Sequence, residues 1–384
     1  MAKEKNGPKT AKTISSAFGA ENRERIIDEY FSEKAASSIE PSQAWEHVYQ
    51  LLLWVDQTTG LGHCYESDKS QPGKVWYARS LAFHKWISDS LKSTPNEVAT
   101  KIDWLFIRAA EDLAAYVLKN STKLAEKAVK QREPYKDSAF PKPGENPELV
   151  AIIKTTLGEH LADPPEELWN QLVQKVRQYF ALDNKRKNLV GEGFEDVLSQ
   201  IVKRACRREG LEVHTRSLLR KLRGFENFRM GEKQIKVDLA ILKPNMRTIV
   251  TVKWSVRADR ERQFTSDFAD YLKAESSGQP FEYVFVTNEF DPARLMRACE
   301  QLNGNTHLFA HVVHINTEAI KATYQPPALD KEKAKDVAKK KVTTNKSRGD
   351  SKSEESSMQK VLQFIESGRL ISLEQWLKNL EAEN

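Results

Sequence analysis

The chain has 384 residues, 30% of them charged and 39% hydrophobic, with a formal charge of +6, enough length for a sizeable core and two or three domains. Its cysteines, Cys64, Cys206 and Cys299, are odd in number and far apart, which argues against a disulfide framework and a structural zinc site. No apolar run reaches about 18 residues and no leader pattern is present, so a cytoplasmic protein with no membrane partner is expected.

Residues 1–14 are polar and lysine-rich, and are expected to be disordered. From 15 to 182 the pattern is mostly helical: RERIIDEYF, QAWEHVYQLLLWV, KIDWLFIRAAEDLAAYVL, NPELVAIIKTTL and PEELWNQLVQKVRQYF all space apolar residues three to four apart. Pro164 and Pro165 mark the start of the last helix. A loop with Gly60, Gly62, Pro72 and Gly73 interrupts the run, and His63 and Tyr65 within it read as packing or surface residues. This part is expected to form a helical domain that embraces the region following it and serves either to clamp a ligand or to form a dimer.

A region of different character spans 183–324. GEGFEDVLSQIVKRACRREGLEV, 191–213, sets Phe194, Val197, Leu198, Ile201, Val202 and Cys206 at helical spacing, with Glu195 near the expected helix start. Gly210 then stops the helix before a short strand around Leu211 to His214. Between Lys185 and Lys236, 14 Lys and Arg face 7 Asp and Glu, a local +7 suited to a phosphate backbone or to a solvated helix face.

IKVDLAIL, 235–242, alternates with Ile235, Val237, Leu239 and Ile241 on one face and Lys236, Asp238 and Ala240 on the other. TIVTVKWSV, 248–256, alternates in the same way, with Lys253 beside Thr251 and Ser255 on the polar side, the pattern of a strand buried on one face. KPNMR between them carries the turn residues Pro244 and Asn245, which predicts an antiparallel hairpin. A turn centred between Asn245 and Met246 places Asp238 directly across from Lys253.

Alone, a strand aspartate or a strand-end lysine is most often solvated or structurally paired. Together on one face they fit metal-dependent phosphodiester hydrolysis: the carboxylate suits a hard divalent cation, and the ammonium suits the attacking water and the developing charge.

Further on, FEYVFVTNEF, 281–290, is a strongly apolar strand, and Asp291 with Pro292 opens the helix ARLMRACEQL. HVVHIN, 311–316, adds a strand whose His311 and His314 point to opposite faces, as packing or surface residues. Residues 325–357 read as a lysine-rich linker. Residues 358–384 read as a C-terminal arm of two amphipathic helices, broken at Gly368, with Ser372 and Gln375 as a capping box. Its apolar set is too large to leave in water, so it is expected to dock on the helical domain or to be exchanged with a second subunit.

The order of a helix with GxxxE ending at Glu195, a strand with Asp238, a hairpin, Thr251-x-Lys253 and then RxDR at 257–260 resembles the PD-(D/E)xK nuclease core. Within it, the chain is similar to the type II restriction endonucleases that recognise a central CCGG. These enzymes carry a hydroxyl residue two positions before the lysine, here Thr251, and take the missing acid from the next helix, here Asp267. The family more often has glutamate there, and Asp270, one helical turn on, is a competitor.

The resemblance implies an α/β (α+β) fold: a restriction-endonuclease-like mixed sheet flanked by helices, with the N-terminal helical domain and C-terminal arm added. It implies Mg2+ held by Asp238 and Asp267, Lys253 orienting water or stabilising charge, and Glu195 as an auxiliary acid. Arg257, Asp259 and Arg260 would read bases, since arginine pairs with guanine O6 and N7 and aspartate accepts from cytosine N4. Asp259 has a plainer reading as a helix N-cap. Double-stranded DNA, a homodimer or higher oligomer, a companion DNA methyltransferase and a bacterial cytoplasm complete the implication. Other readings are a nuclease of the same fold acting in repair or on branched DNA, a noncatalytic CCGG-binding protein, and a reader of CCNGG, whose motifs are similar.

Overall fold

The computed structural model of the chain describes residues 16–54, 75–137, 146–157, 165–206, 210–226, 234–256, 261–325 and 348–382. Its strands are β1 (Glu212–Leu218), β2 (Lys236–Leu242), β3 (Arg247–Lys253), β4 (Glu282–Thr287), β5 (Leu302–Asn303), β6 (Thr306–His307), β7 (His311–His314) and β8 (Leu370–Ser372). Six of them form one mixed sheet in the order β1-β2-β3-β4-β7-β8, flanked by helices, and β5 with β6 forms a separate small hairpin. The first three strands are antiparallel neighbours and the last four parallel ones.

The hairpin forms as its alternation predicts, with two differences. Lys243 N–H donates to Met246 C=O at 2.8 Å, which centres the turn on Pro244 and Asn245. Leu239 therefore pairs with Val250 and Leu242 with Arg247, two residues away from the expected register. Because side chains repeat every two residues along a strand, a shift of two keeps each on its expected face. The second difference is burial. β3 lies between β2 and β4, and its polar Thr248 and Thr251 are 0% and 5% exposed alongside its apolar residues. It is a strand covered on both faces, not on one.

The helix expected to begin at Gly191 has no start there. One helix of 40 residues runs Glu166–Ala205, so Glu195 lies in its second half. Gly193 is a packing residue in it: a Cβ there would meet Leu105 Cδ2 at 3.0 Å and Leu52 Cδ2 at 3.3 Å. Helices at Val75–Ser90, Pro95–Lys101 and Ser121–Arg132 add to those read from the sequence. The second of these is opened by a reciprocal capping box between Thr94 and Glu97.

The chain forms two compact units, Met1–Ile26 with Phe106–Leu189 and Ile27–Leu105 with Val190–Asn384. The sequence reading divides the chain at 182/183, whereas by packing Ile27–Leu105 goes with the sheet. Tyr49 Oη donates to Asn288 Oδ1 at 2.8 Å, and Phe83 meets Phe290 edge-on at 5.1 Å between ring centroids. Helical periodicity shows which stripe is apolar, but not whether another helix or a sheet receives it.

The C-terminal arm is a helix, a strand and a helix: Arg348–Glu366, β8 and Leu373–Ala382. It docks on the sheet of its own chain, where β8 pairs in parallel with β7, and its last helix also packs on Pro41–Gln43 and Ala44–Leu52, within the stretch read as the helical domain. Leu373 and Leu377 are fully buried, Lys243 Nζ donates to Leu380 C=O, and Arg369 donates to Cys299 C=O and Phe309 C=O, each at 2.9 Å. Its first helix begins within the stretch read as linker. Only half of the expected capping box forms: Ser372 Oγ accepts from Gln375 N at 3.1 Å, and the Gln375 amide turns to Asn379. No helix among the described residues is long and apolar enough to cross a membrane.

Candidate active site

The site forms where the β2–β3 ladder runs out. Beyond the Leu239–Val250 pair, the next inward amide of β3 has no backbone partner on β2, and the Asp238 side chain takes its place. Asp238 Oδ2 accepts from Val252 N at 2.9 Å, from Thr251 Oγ1 at 3.2 Å and from Lys253 Nζ at 2.6 Å. Three donors fix one carboxylate oxygen, and the ammonium bond is of the short, charge-assisted kind. Both members of the ion pair are partly open to solvent, with side chains 24% and 28% exposed, so a substrate can reach them.

Glu195 joins this group from the long helix. Burial, and next the negative charge of Asp238, push its carboxyl from 4.5 up to about 7, against the Arg216 hydrogen bond and the Lys253 charge. Arg216 Nη1 donates to Glu195 Oε2 at 3.1 Å and to Glu192 C=O at 3.2 Å, while Nη2 donates to Asp196. The sequence reading missed Arg216. Between the paired positions Thr215–Leu239 and Ser217–Val237 it stands across from Asp238, with φ at 47°, a conformation non-glycine residues rarely take. An arginine on a strand flanked by Thr215 and Ser217 is the one signal that could have pointed to it.

Asp267 sits half-buried in the middle of the helix Glu261–Ala274. Tyr271 on that helix and Tyr283 on β4 are both held above the usual tyrosine range, first by burial and then by nearby charges that include Asp267 and Asp238. Both aspartates are thus among the charges that act on the two tyrosines, whose rings meet edge-on at 5.5 Å. Asp270, the competitor, faces Lys273 at 3.7 Å.

Among the described residues, no three His, Cys, Asp or Glu side chains form a group able to hold a metal ion. Two carboxylates suffice for magnesium, which keeps several waters and takes its remaining ligands from phosphate oxygens. The all-oxygen donor set of Asp238 and Asp267, both among the charges that act on Tyr271 and Tyr283, fits such an ion. Arg257, Asp259 and Arg260 lie outside the described residues.

No protein-family model matches the chain, and no curated protein is similar to it. A solved complex of the restriction endonuclease PspGI with substrate DNA is similar over 93% of this chain and 91% of that one, at 14% identity and a TM-score of 0.35. The functional reading therefore rests on the site.

Proposed function

We propose that this chain is a type II restriction endonuclease that cuts double-stranded DNA at a palindrome with a central CCGG, leaving 5′ overhangs. The observation that carries the reading is the Lys253 ammonium bound at 2.6 Å to Asp238, beside the Thr251 hydroxyl on the same oxygen. Asp238 and Asp267 would hold magnesium. The chemistry the ion supplies when bound is polarisation of the phosphate and acidification of the attacking water.

The residues of the chain do the rest. Lys253 holds positive charge beside the carboxylate and stabilises the negative charge that develops on the phosphate oxygens. Glu195, raised to about 7, is poised to accept a proton from the water near neutral pH. Arg216 keeps it aimed at the site through the 3.1 Å bond. Water, giving a proton to Glu195, would attack phosphorus while the bond to O3′ breaks, and the departing O3′ would take a proton from solvent, giving a 5′ phosphate and a 3′ hydroxyl.

Arg257, Asp259 and Arg260 follow the catalytic lysine by a few residues and would read G·C pairs in the major groove, each good pair discriminating by roughly 1–3 kcal/mol. A homodimer or higher oligomer would present the set twice to a palindrome, and a companion methyltransferase would protect the host's own sites. The test is digestion of a plasmid of known sequence in magnesium, with the ends mapped. Cuts at every palindrome centred on CCGG are expected. Absence of cutting, cutting of branched DNA alone, or cutting at no fixed sequence would overturn the reading.

A further inference from the structure

We infer that Lys253 has a second duty: its ammonium stands on Asp238 as a resident counter-ion and holds the DNA-free protein's affinity for a divalent cation low. This rests on the proposed function, because it concerns the ion that Asp238 and Asp267 would hold. Among the described residues, every hydrogen bond to Asp238 falls on Oδ2, from Val252 N, Thr251 Oγ1 and Lys253 Nζ. A carboxylate offers about two lone-pair directions on each oxygen, so three donors leave Oδ2 no free one.

The three donors differ in how easily they can leave. Val252 N belongs to the backbone of β3, and Thr251 is buried in that strand. Lys253 is the last residue of β3, and its side chain is partly open to solvent, a charge on a flexible four-carbon stem. Arg216, also close to this group, is engaged by Glu195 and Asp196. Coordination of a cation at Oδ2 needs the ammonium to give way. Coordination at Oδ1 leaves a single positive charge on the same carboxylate as a double one, and like charges that close repel where water is partly excluded. On either oxygen Lys253 opposes the ion, so the sign of its effect does not depend on which is used. The residue that stabilises charge during the reaction thus also neutralises the acid beforehand.

Lys253→Met keeps the length of the side chain and removes its charge, while Val252 N and Thr251 Oγ1 still orient the carboxylate. The experiment titrates the DNA-free full chain with Mn2+, standing in for magnesium, and follows the free ion by electron paramagnetic resonance, with no cleavage step. The expected result is binding about ten-fold or more tighter in Lys253→Met than in wild type, because a like charge beside the ion has been removed. Lys253→Arg, which keeps the charge, should bind like wild type, and Lys253→Met combined with Asp238→Asn should lose the gain. Mn2+ bound equally well or more weakly by Lys253→Met would overturn the inference, as would a gain shared by Lys253→Arg or one that survives Asp238→Asn. Lys253→Ala carries the same expectation should Lys253→Met fail to unfold cooperatively. If neither wild type nor Lys253→Met binds Mn2+, the metal site of the functional reading itself is removed. A wild type that binds Mn2+, with charge-free variants that bind it no better, removes only this inference.

Discussion

Lys253 reaches Asp238 diagonally across the hairpin. The register that pairs Leu239 with Val250, continued by one step, puts Thr251 across from Asp238 and leaves Lys253 two residues further along the same face. A long, flexible ammonium can close that distance, and it does so at 2.6 Å, whereas a threonine directly opposite makes a 3.2 Å bond. The hydroxyl thus takes the place across from the aspartate without adding a second negative charge, so the other anion must come from elsewhere.

Lys253→Ala is expected to lower single-turnover cleavage by about 10²- to 10³-fold, the usual cost of removing one donor aimed at developing charge. DNA binding should persist. The melting temperature should barely move, because a pair this open to solvent contributes about 0–1 kcal/mol. A thermal shift with unchanged cleavage would assign the pair a purely structural role.

Asp267 and Asp270 separate by their magnesium dependence. Asp267→Asn should raise the magnesium concentration needed for half-maximal cleavage by about ten-fold or more, whereas Asp270→Asn, which loses only an exposed contact with Lys273, should leave it unchanged. The reverse order would move the second ligand one turn along the helix.

Glu195 gives a signed pH dependence. Its carboxyl is raised from 4.5 to about 7, so the folded state holds the proton more tightly than the unfolded chain. Folding stability should therefore fall as pH rises from about 4.5 to about 7 and level off above that. Urea unfolding across this range should show the decline, and Glu195→Gln should flatten it. Stability that rises over the same interval would mean that Arg216 outweighs burial.

Much of the centre was legible because strand alternation survives a shift of two: Asp238 and Lys253 met although their register was misplaced. Glu195 was found in sequence, but its helix start was not, because the helix runs on unbroken through Gly191 and Gly193, and Gly193 is small to admit Leu52 and Leu105. Arg216 was not legible, because its role depends on the pairing of β1 with β2 and on a backbone turned to φ 47°. β8 was hidden in the same way: three residues, Leu370–Ser372, become a strand only because β7 offers them an edge.

The docked C-terminus makes a stability prediction. Trp376 is 1% exposed beside the fully buried Leu373 and Leu377. Trp376→Ala should cost about 3–5 kcal/mol in urea unfolding, as large-to-small changes in a core do. A chain ending at Pro327 should lose solubility or cooperative unfolding, because the edge of β7 and the surface under the last helix would be bared. A shortened chain that melts like the full one would contradict the docking.

The most direct test of the catalytic centre is single-turnover cleavage of a short duplex bearing the mapped site, with wild type and Asp238→Asn side by side in magnesium and DNA binding measured in parallel. The account predicts that wild type cuts to 5′ phosphate ends, while the variant binds the duplex and leaves it intact. Equal cutting by both would contradict it.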